Sequence, residues 1–388
     1  MTQYGFEEEL KIYLRADPGA RLPIGVDGWR ARAQEVLAPG PWGYLEGSAG
    51  AEDTAAENRR ALERWRIRPR FGRNVEDRDL SVTLCGQTWS SPLLIAPLGV
   101  QSILHPEAER ATARAAARLG IPFVLSTVSS VSMEEVAREM GDSPRWFQLY
   151  PSRSREVMES LVSRAEAAGY SLLVVTMDTT MLGWRVRDLQ NAYLPFLEGA
   201  GIANYVTDPA FRRMLKNPPE EDLAASVQTF LSVYVNPAFN WEDLAGIRRM
   251  TRLPMVVKGL THPDDVRRAR DAGADAVAVS NHGGRQVDGA LGALDALAEI
   301  SVQPVGVPLL MDSGIRTGAD VFKALALGAQ AVLVGRPYAY GLAVGGSDGV
   351  ERVMRHLRAE FDLQMALAGY RTVPEIGRDA VTWRGPGG

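Results

Sequence analysis

From about Glu76 onward, the chain repeats one pattern eight times: a short apolar run, a turn and a segment with helical periodicity. Continuous Val/Ile/Leu runs of this length are typical of parallel strands that are buried on both faces. Helices fit between them, for example at Glu107–Leu119, Arg153–Ala168, Asp264–Ala272 and Gly318–Leu327. The predicted strands are Pro92–Pro97, Pro122–Ser126, Trp146–Leu149, Leu172–Thr176, Pro254–Lys258, Ala276–Ser280, Pro308–Asp312 and Ala331–Gly335.

Eight strand-helix units are the number that closes a (β/α)₈ barrel, the TIM-barrel type of α/β fold. A doubly wound parallel sheet is the alternative, but it usually has fewer strands and a glycine-rich first turn. No G-x-G-x-x-G sequence follows the first predicted strand. We therefore predict a barrel, and we expect residues 1–388 to form one domain because barrels with insertions routinely use this much chain.

Two parts of the chain lie outside the repeat. Residues 1–75 are predicted to form a helical extension that caps the barrel, and an alternating stretch at Ser81–Ser90 predicts a hairpin. Residues 182–252, which we call the lid segment, lie between the fourth and fifth strands and contain many prolines and glycines. This composition predicts a largely irregular loop on the rim of the barrel, where long loops commonly bind or cover ligands.

Composition excludes several classes of function. The net charge is −4 and no basic block is present, so neither nucleic acid nor an anionic membrane surface is an expected partner. The single cysteine, Cys85, permits no intramolecular disulfide and no thiolate metal cluster, and we expect a cytoplasmic protein without a metal site. The first twenty residues are charged and lack the apolar run of a signal peptide.

Polar residues follow all eight predicted strands. In a barrel the chemistry lies at the carboxyl ends of the strands, so these residues are expected to meet around one site. His282 is the most informative of them, because it follows a buried strand and precedes Gly283 and Gly284, which permit close approach to a ligand. We predict that His282 is a general base and that Asp178 orients it. The other histidines have simpler expected roles. We expect His356 on a solvent-exposed helix face, His262 in a surface or capping role before a helix start, and His105 in a structural role within a loop.

Two sets of arginines indicate anionic ligands. Arg285 lies three residues after His282, and Arg185 and Arg187 follow the fourth strand, so a carboxylate clamp and ordinary surface salt bridges are both compatible with the pattern. Gly314, Arg316, Gly335 and Arg336 follow strands seven and eight, the common phosphate site of barrels. Flavin mononucleotide, nicotinamide and sugar phosphates are all compatible with that second site.

The stretch Ser280-Asn281-His282-Gly283-Gly284-Arg285-Gln286 resembles the signature of the FMN-dependent 2-hydroxy-acid oxidases and dehydrogenases. This family includes glycolate oxidase, lactate oxidase, mandelate dehydrogenase and lactate 2-monooxygenase, and the likeness extends from about Tyr44 to Gly369. It implies that His282 is the catalytic base with Asp178 as its partner. The residues that it implies for the substrate are Tyr44, Tyr150, Arg185 and Arg285. The residues that it implies for FMN are Pro97, Leu98, Gly99, Ser126, Gln148, Thr176, Lys258, Ser280, Asp312, Gly314, Arg316, Gly335 and Arg336.

Within the family, the stretches Gly183–Leu189, Asn204–Pro209 and Asp312–Gly318 are similar to lactate 2-monooxygenase. The resemblance thus implies oxidation of a small L-2-hydroxy acid, favouring L-lactate, with retention of the products until acetate, carbon dioxide and water leave. A simple oxidase that releases 2-oxo acid and hydrogen peroxide is the alternative, and Gln286–Gly289 follows the oxidase pattern. An FMN barrel isomerase and a non-catalytic phosphate-binding barrel are alternatives of other classes.

The resemblance also bears on partners. Neither a haem-binding domain nor a membrane-anchoring segment is found in the sequence, so dioxygen is the expected electron acceptor. Val128 stands where several members of the family place an aromatic residue against the substrate, which implies room for a bulkier acid. A homo-oligomer, either a tetramer or an octamer, is expected because such assemblies are typical of the family.

Overall fold

The computed structural model describes residues 3–14 and 22–385, so residues 1, 2, 15–21 and 386–388 of the predicted single domain lie outside the described part. The region before residue 76 is mostly helical, as predicted. Its four helices are α1 (Tyr4–Tyr13), α2 (Val26–Val36), α3 (Pro39–Glu46) and α4 (Asp53–Arg64), followed by the short strand β1 (Trp65–Ile67).

The predicted hairpin and barrel are both confirmed. Strands β2 (Val82–Leu84) and β3 (Gln87–Trp89) pair antiparallel within the predicted hairpin. The next eight strands form a closed, entirely parallel barrel in which sequence neighbours are also spatial neighbours. These strands are β4 (Leu93–Ile95), β5 (Phe123–Ser126), β6 (Arg145–Leu149), β7 (Leu173–Thr176), β8 (Met255–Leu260), β9 (Ala276–Val279), β10 (Leu309–Met311) and β11 (Ala329–Val334).

Burial explains the apolar character of these strands. Almost every strand residue of the barrel is buried, the exceptions being Arg145, Gly259 and Gln330. The interior side chains fill the barrel and the exterior ones pack under the surrounding helices, so most strand residues are apolar. The buried polar residues of the strands lie in the second half of their strands: Ser126, Gln148, Thr176 and Lys258. Polar side chains are thereby concentrated at the strand termini.

Helices surround the barrel at the positions that the sequence pattern predicts. Before the lid segment these are α5 (Ala108–Leu119), α6 (Met133–Met140) and α7 (Arg155–Ala167). The lid segment contains α8 (Val186–Gln190), α9 (Ala203–Val206), α10 (Pro209–Arg213), α11 (Leu223–Tyr234) and α12 (Trp241–Arg248). After it come α13 (Pro263–Asp271), α14 (Ala293–Ile300), α15 (Gly318–Ala326) and α16 (Arg336–Ala368). Helix α16 is interrupted by non-helical backbone at Gly345 and Gly346. A last strand, β12 (Val381–Trp383), pairs antiparallel with β1.

The prediction of a largely irregular lid segment is wrong, because five helices lie within it. The prolines start helical turns instead of preventing them: Pro209 is the first residue of α10, and Pro195 opens a 3₁₀ turn. Proline is suited to the first helical position because an N–H at that position would have no acceptor within the helix, so its absence costs nothing. Side-chain caps complete the starts, since Asp208 and Asp222 accept N–H groups of α10 and α11.

One histidine prediction also needs correction. The sequence predicts His356 on a solvent-exposed helix face, but it is buried on α16, a helix that α1, α2, α5 and α15 all pack against. His262 does cap a helix, since its Nδ1 accepts the backbone N–H of Asp264 at the start of α13. Among the described residues, no helix is both long enough and apolar enough to cross a bilayer.

Candidate active site

A cavity opens at the carboxyl ends of the barrel strands, with about 1060 Å³ of empty space that includes the part open to solvent. Loops after different strands line the cavity, and the N-terminal extension contributes Tyr44 and Leu45. The residues predicted from sequence that line it are Tyr44, Pro97, Leu98, Gly99, Tyr150, Arg185, Lys258, His282, Arg285, Asp312, Gly314, Arg316, Gly335 and Arg336.

Five predicted residues do not line the cavity: Asp178 contacts His282, and the other four form part of the barrel beneath the cavity. The Ser126 hydroxyl donates to Gln148 Oε1 (3.0 Å), and Gln148 Nε2 donates to Thr176 Oγ1 (2.9 Å). Since these residues come from β5, β6 and β7, the bonds run across three adjacent strand ends. Ser280 lies at the end of β9 and donates to Asp312 Oδ2 (2.7 Å). All four side chains are buried with satisfied polar groups, as buried polar groups must be.

Lys258 carries a buried positive charge at the end of β8. Its Nζ lies 2.9 Å from Asp312 Oδ2 and donates to Ser280 Oγ (3.0 Å). Burial by itself lowers the pKa of Lys258, but the carboxylates of Asp312 and Asp178 outweigh it and raise the pKa above the usual value. Lys258 therefore remains cationic at neutral pH beside the cavity, where it favours a ligand that carries or acquires negative charge.

His282 and Asp178 form the hydrogen bond that the sequence predicted. His282 Nδ1 lies 2.8 Å from Asp178 Oδ1, and Thr179 Oγ1 lies within 3.2 Å of the same ring nitrogen. The approach of Asp178 requires glycine at position 259, where a Cβ atom would lie 2.6 Å from the Asp178 Cγ atom. With Nδ1 occupied, Nε2 is left to face the cavity, 3.4 Å from the Tyr150 hydroxyl.

The charges of this pair favour a neutral base beside an ionised acid. Burial lowers the pKa of His282 below 6.5, although the charge of Asp178 partly opposes the effect. Burial raises the pKa of Asp178, but the nearby His282 and Lys258 outweigh it, so the pKa of this carboxyl lies below its usual value. At pH 7 the imidazole is thus neutral and able to accept a proton, and the carboxylate is placed to stabilise the cation that results.

Arg185, Arg285 and Tyr44 lie together near His282. The Tyr44 ring faces both guanidinium groups, at 4.9 Å from Arg285 and 6.0 Å from Arg185. Among the described residues, neither arginine forms an ion pair; Arg285 donates to the backbone carbonyls of Tyr44 and Gly47 instead. Burial and the neighbouring Arg185 lower the pKa of Arg285. Asp188 lies close enough to act on both charges but not within ion-pair distance, so the two adjacent cations remain a strong site for a carboxylate.

Arg316 and Arg336 form a second cationic pair, beside Gly314 and Gly335. Within the described part of the chain, neither guanidinium has a carboxylate partner within ion-pair distance, and that of Arg316 donates a single hydrogen bond, to Ile315 O (2.8 Å). Arg336 is engaged more fully, because its donors contact the carbonyls of Leu45 and Gly283 and further groups of residues 46–48. Arg316 thus has more donors left for a ligand than Arg336.

These features fit the FMN implied by the sequence. Barrels commonly bind a phosphate after their seventh and eighth strands, which are β10 and β11 here. Arg316 and Arg336 provide cationic donors at this place, and neither has an ion-pair partner among the described residues. A flavin ring needs a flat, partly apolar wall, which Pro97, Leu98 and Gly99 provide. The buried Lys258 adds a cation that matches the charge of a reduced flavin.

Some cavity residues were not predicted from sequence. Thr179, Phe196 and Tyr234 line the cavity, and the Tyr234 ring packs edge to face against Tyr150 at 5.5 Å. Gln286 links two predicted groups, since its Oε1 accepts from Arg185 and its Nε2 donates to Asp178 O. Thr179 directly follows Asp178, and Gln286 belongs to the stretch Ser280–Gln286, so their positions in the sequence could have identified both as site residues. Phe196 and Tyr234 belong to the lid segment, and their apolar spacing gives no indication that they face a ligand.

Comparison with known proteins agrees with this geometry. The sequence profile of a family described as FMN-dependent dehydrogenase matches residues 33–383. An L-lactate oxidase of Lysinibacillus sphaericus is 42% identical over 355 residues, covering 91% of each chain. An FMN-dependent alpha-hydroxy acid dehydrogenase of Penicillium citrinum is 44% identical over 354 residues, covering 90% of this chain and 88% of the relative.

Similarity in three dimensions leads to the same family. The crystal structure of a mandelate oxidase superposes with a TM-score of 0.82 at 37% identity, covering 93% of this chain and 98% of that one. These matches exclude the non-catalytic barrel that the sequence alone left open, because the family consists of oxidoreductases. The chain therefore belongs to the FMN-dependent dehydrogenase family and is a flavoenzyme that oxidises 2-hydroxy acids.

Proposed function

We propose that this enzyme oxidises a small L-2-hydroxy acid, with L-lactate as the favoured substrate, and that dioxygen is its electron acceptor. One observation carries the proposal: a neutral imidazole and two guanidinium groups without ion-pair partners among the described residues line the same cavity. A 2-hydroxy acid has the complementary groups, a carboxylate for the cations and, on the adjacent carbon, a hydroxyl and a hydrogen to be removed. The net reaction converts the acid and O₂ to a 2-oxo acid and H₂O₂.

In this proposal, Arg185 and Arg285 hold the substrate carboxylate, and the hydroxyls of Tyr44 and Tyr150 assist. The bound carboxylate neutralises two cations that otherwise repel each other, so binding is strongest for anions small enough to reach both. His282 Nε2 takes up the proton that the substrate loses. Asp178 stabilises the imidazolium that forms and holds Nδ1–H in place, as the short hydrogen bond between them indicates.

The remaining predicted residues would hold the cofactor. Arg316 and Arg336 would bind the FMN phosphate together with Gly314 and Gly335, and the backbone of Pro97–Gly99 would lie along the ring. When bound, FMN supplies the two-electron acceptor for the substrate. Polar groups of this chain are proposed to face the ring: Ser126, Gln148, Thr176, Lys258, Ser280 and Asp312.

The relatives support a small substrate, since they include L-lactate oxidases of two bacteria and a human 2-hydroxyacid oxidase. The test is a panel of glycolate, L-lactate, D-lactate and mandelate with the purified yellow enzyme, followed by oxygen consumption. We expect L-lactate to give the highest kcat/KM and D-lactate to be inactive. Failure of every 2-hydroxy acid to bleach the flavin anaerobically would overturn the proposal.

A second outcome, lactate 2-monooxygenase activity, is favoured by the lid segment. Leu182, Phe196 and Tyr234 of this segment form part of the cavity wall, so the segment covers the site where products form. Retained pyruvate and H₂O₂ react to acetate, CO₂ and water, a balanced conversion of lactate and O₂. Product analysis decides: acetate and CO₂ in equal amounts support retention, whereas stoichiometric pyruvate and H₂O₂ support a simple oxidase. A cytoplasmic location is part of the same proposal.

A further inference from the structure

Glu109, the second residue of α5, is a fully buried acid that the proposed chemistry does not use. Its Oε1 accepts the backbone N–H groups of Gln101 and Ser130, each at 3.1 Å. Its Oε2 is buried and has no hydrogen-bond partner among the described residues, and no described cation pairs with the carboxylate. Burial raises the pKa of Glu109 to about 7. A group this costly to bury needs a reason to be there.

The two N–H groups belong to loops that form adjacent walls of the cavity. Gln101 follows β4, and its side chain extends the connection, because Nε2 donates to Leu98 O (3.1 Å) while Oε1 accepts from Thr112 (2.6 Å). Ser130 follows β5, two residues after Val128, which also lines the cavity. One carboxylate oxygen therefore joins the loop of Leu98 to the loop of Val128.

The two loops also contact each other directly, and the contact at Gly99 leaves no room for a side chain. The Val100 N–H donates to Val128 O at 2.9 Å. At Gly99, a Cβ atom would lie 2.6 Å from that same carbonyl oxygen, so the backbones approach as closely as glycine permits. Loss of the Glu109 bonds would weaken this register, because each loop would lose a hydrogen bond to a carboxylate, and the direct bonds Val100–Val128 and Ser102–Ser130 would have to hold the loops alone.

We propose that Glu109 is a positioning residue that fixes the cavity-facing backbone of Pro97–Gly99 against the Val128 loop and thereby sets how tightly the flavin ring is held. The inference rests on the proposed placement of FMN against Pro97–Gly99. It does not depend on the substrate, so it can fail while the proposed oxidation of lactate stands.

The test compares three variants of the holoenzyme. Glu109→Ala removes the acceptor, Glu109→Gln keeps an oxygen that can accept both N–H groups, and Asp362→Asn is a matched control. Asp362 is an equally buried acid that also accepts a backbone N–H, from Gly5, but it pairs with Arg78 and does not line the cavity. FMN release on dilution is followed by flavin fluorescence, the visible flavin spectrum is recorded, and unfolding is measured on the same samples.

We expect Glu109→Ala to release FMN about tenfold faster than the parent and to shift the flavin spectrum toward that of free FMN. Glu109→Gln should restore release to within about threefold of the parent. Asp362→Asn should lower thermal stability and leave release unchanged. Parental release by Glu109→Ala, or equal release by the Ala and Gln variants, would overturn the proposal. Should Glu109→Ala not fold, Glu109→Met fills the same space without a carboxylate or amide oxygen to accept the two N–H groups, and parental release by that variant would again overturn the proposal.

Discussion

At the scale of single residues, His282 has a φ of 56°, in the left-handed region that residues other than glycine adopt uncommonly, although histidine does so more often than most. The ring is held there by Asp178 and Thr179, and the backbone N–H donates to Ser280 Oγ at 3.0 Å. Non-glycine residues in this conformation persist where the surroundings over-determine them, most often in active sites. The strain is therefore consistent with a role that only this position can serve.

His282→Ala should lower turnover of the 2-hydroxy acid by about 10²–10⁴-fold while the protein stays yellow, because the base is lost and the flavin contacts remain. His262→Ala is the control, since that histidine caps α13 at the surface. Stopped-flow measurement of anaerobic flavin reduction checks both. Parental reduction by the His282 variant would contradict the assignment of the base.

The direction of the His282 pKa predicts a pH profile. A base must be deprotonated to act, and the pKa of His282 is lowered from 6.5, so kcat/KM should fall only as the pH drops below 6.5. Because the charge of Asp178 raises this pKa, Asp178→Asn should move the acidic limb to still lower pH and reduce the plateau. A limb that moves upward in this variant would show that another group is titrating.

At the scale of elements, the lid segment is a packed structure and not a loose cover. Phe196, Phe230 and Tyr234 form a connected aromatic cluster, with Phe196 in a 3₁₀ turn and the other two on α11. Gly201 joins this cluster to the barrel, because a Cβ atom there would lie 2.2 Å from Val100 Cγ1. The lid segment thus rests on the same loop that Glu109 anchors.

Gly201→Ala should therefore be more destabilising than Gly199→Ala, although both glycines have positive φ of 78° and 77°. At position 199 the nearest atom belongs to the half-exposed Leu223 side chain, which can move, whereas position 201 also meets Val128 O at 3.0 Å. Overpacking adds about 1–3 kcal/mol to the shared backbone strain. Urea unfolding of the two variants measures the difference, and equal midpoints would contradict this packing.

At the scale of the whole molecule, charge is distributed unevenly. Most arginines of the described surface pair with carboxylates, while the four in the cavity do not. Burial of unpaired like charges opposes folding, so a ligand with anionic groups should stabilise the entire protein. FMN carries the phosphate that two of these arginines are proposed to bind.

FMN at one hundred times its Kd should stabilise the folded protein by about 2.7 kcal/mol, by mass action. Riboflavin at the same concentration should raise the melting temperature much less, because it lacks the phosphate. Arg316→Ala should remove most of the advantage of FMN over riboflavin, and the exposed Arg155→Ala should not. Differential scanning fluorimetry of the apoprotein makes the comparison. Equal shifts with both flavins would place the phosphate elsewhere.

The single-domain organisation and the homo-oligomer remain predictions at this scale. A single cooperative unfolding transition would support the first. Light scattering of the holoenzyme measures the second, and the mass of a 42.3 kDa monomer would contradict the expected tetramer or octamer.

Much of the fold was predictable because its determinants are local. Each apolar run and each amphipathic helix is visible within a window of about fifteen residues, and the strand count then closes the barrel. The candidate site was predictable for a related reason, since parallel strands bring their carboxyl ends to one face wherever they lie in the sequence. Ser126, Gln148 and Thr176, far apart along the chain, meet by this rule alone.

The amino-acid sequence by itself determined the barrel and the polar residues at its mouth, among them His282, Arg185 and Arg285, whose catalytic and binding roles are proposed. Only the tertiary structure decided which residues of the lid segment face the cavity, how Arg336 is engaged by residues 45–48, and that Glu109 joins two loops. The physical reason is the range of the interactions. Helical periodicity and strand burial are set by neighbours in sequence, whereas the partners of Tyr234, Arg336 and Glu109 are chosen by packing between distant segments.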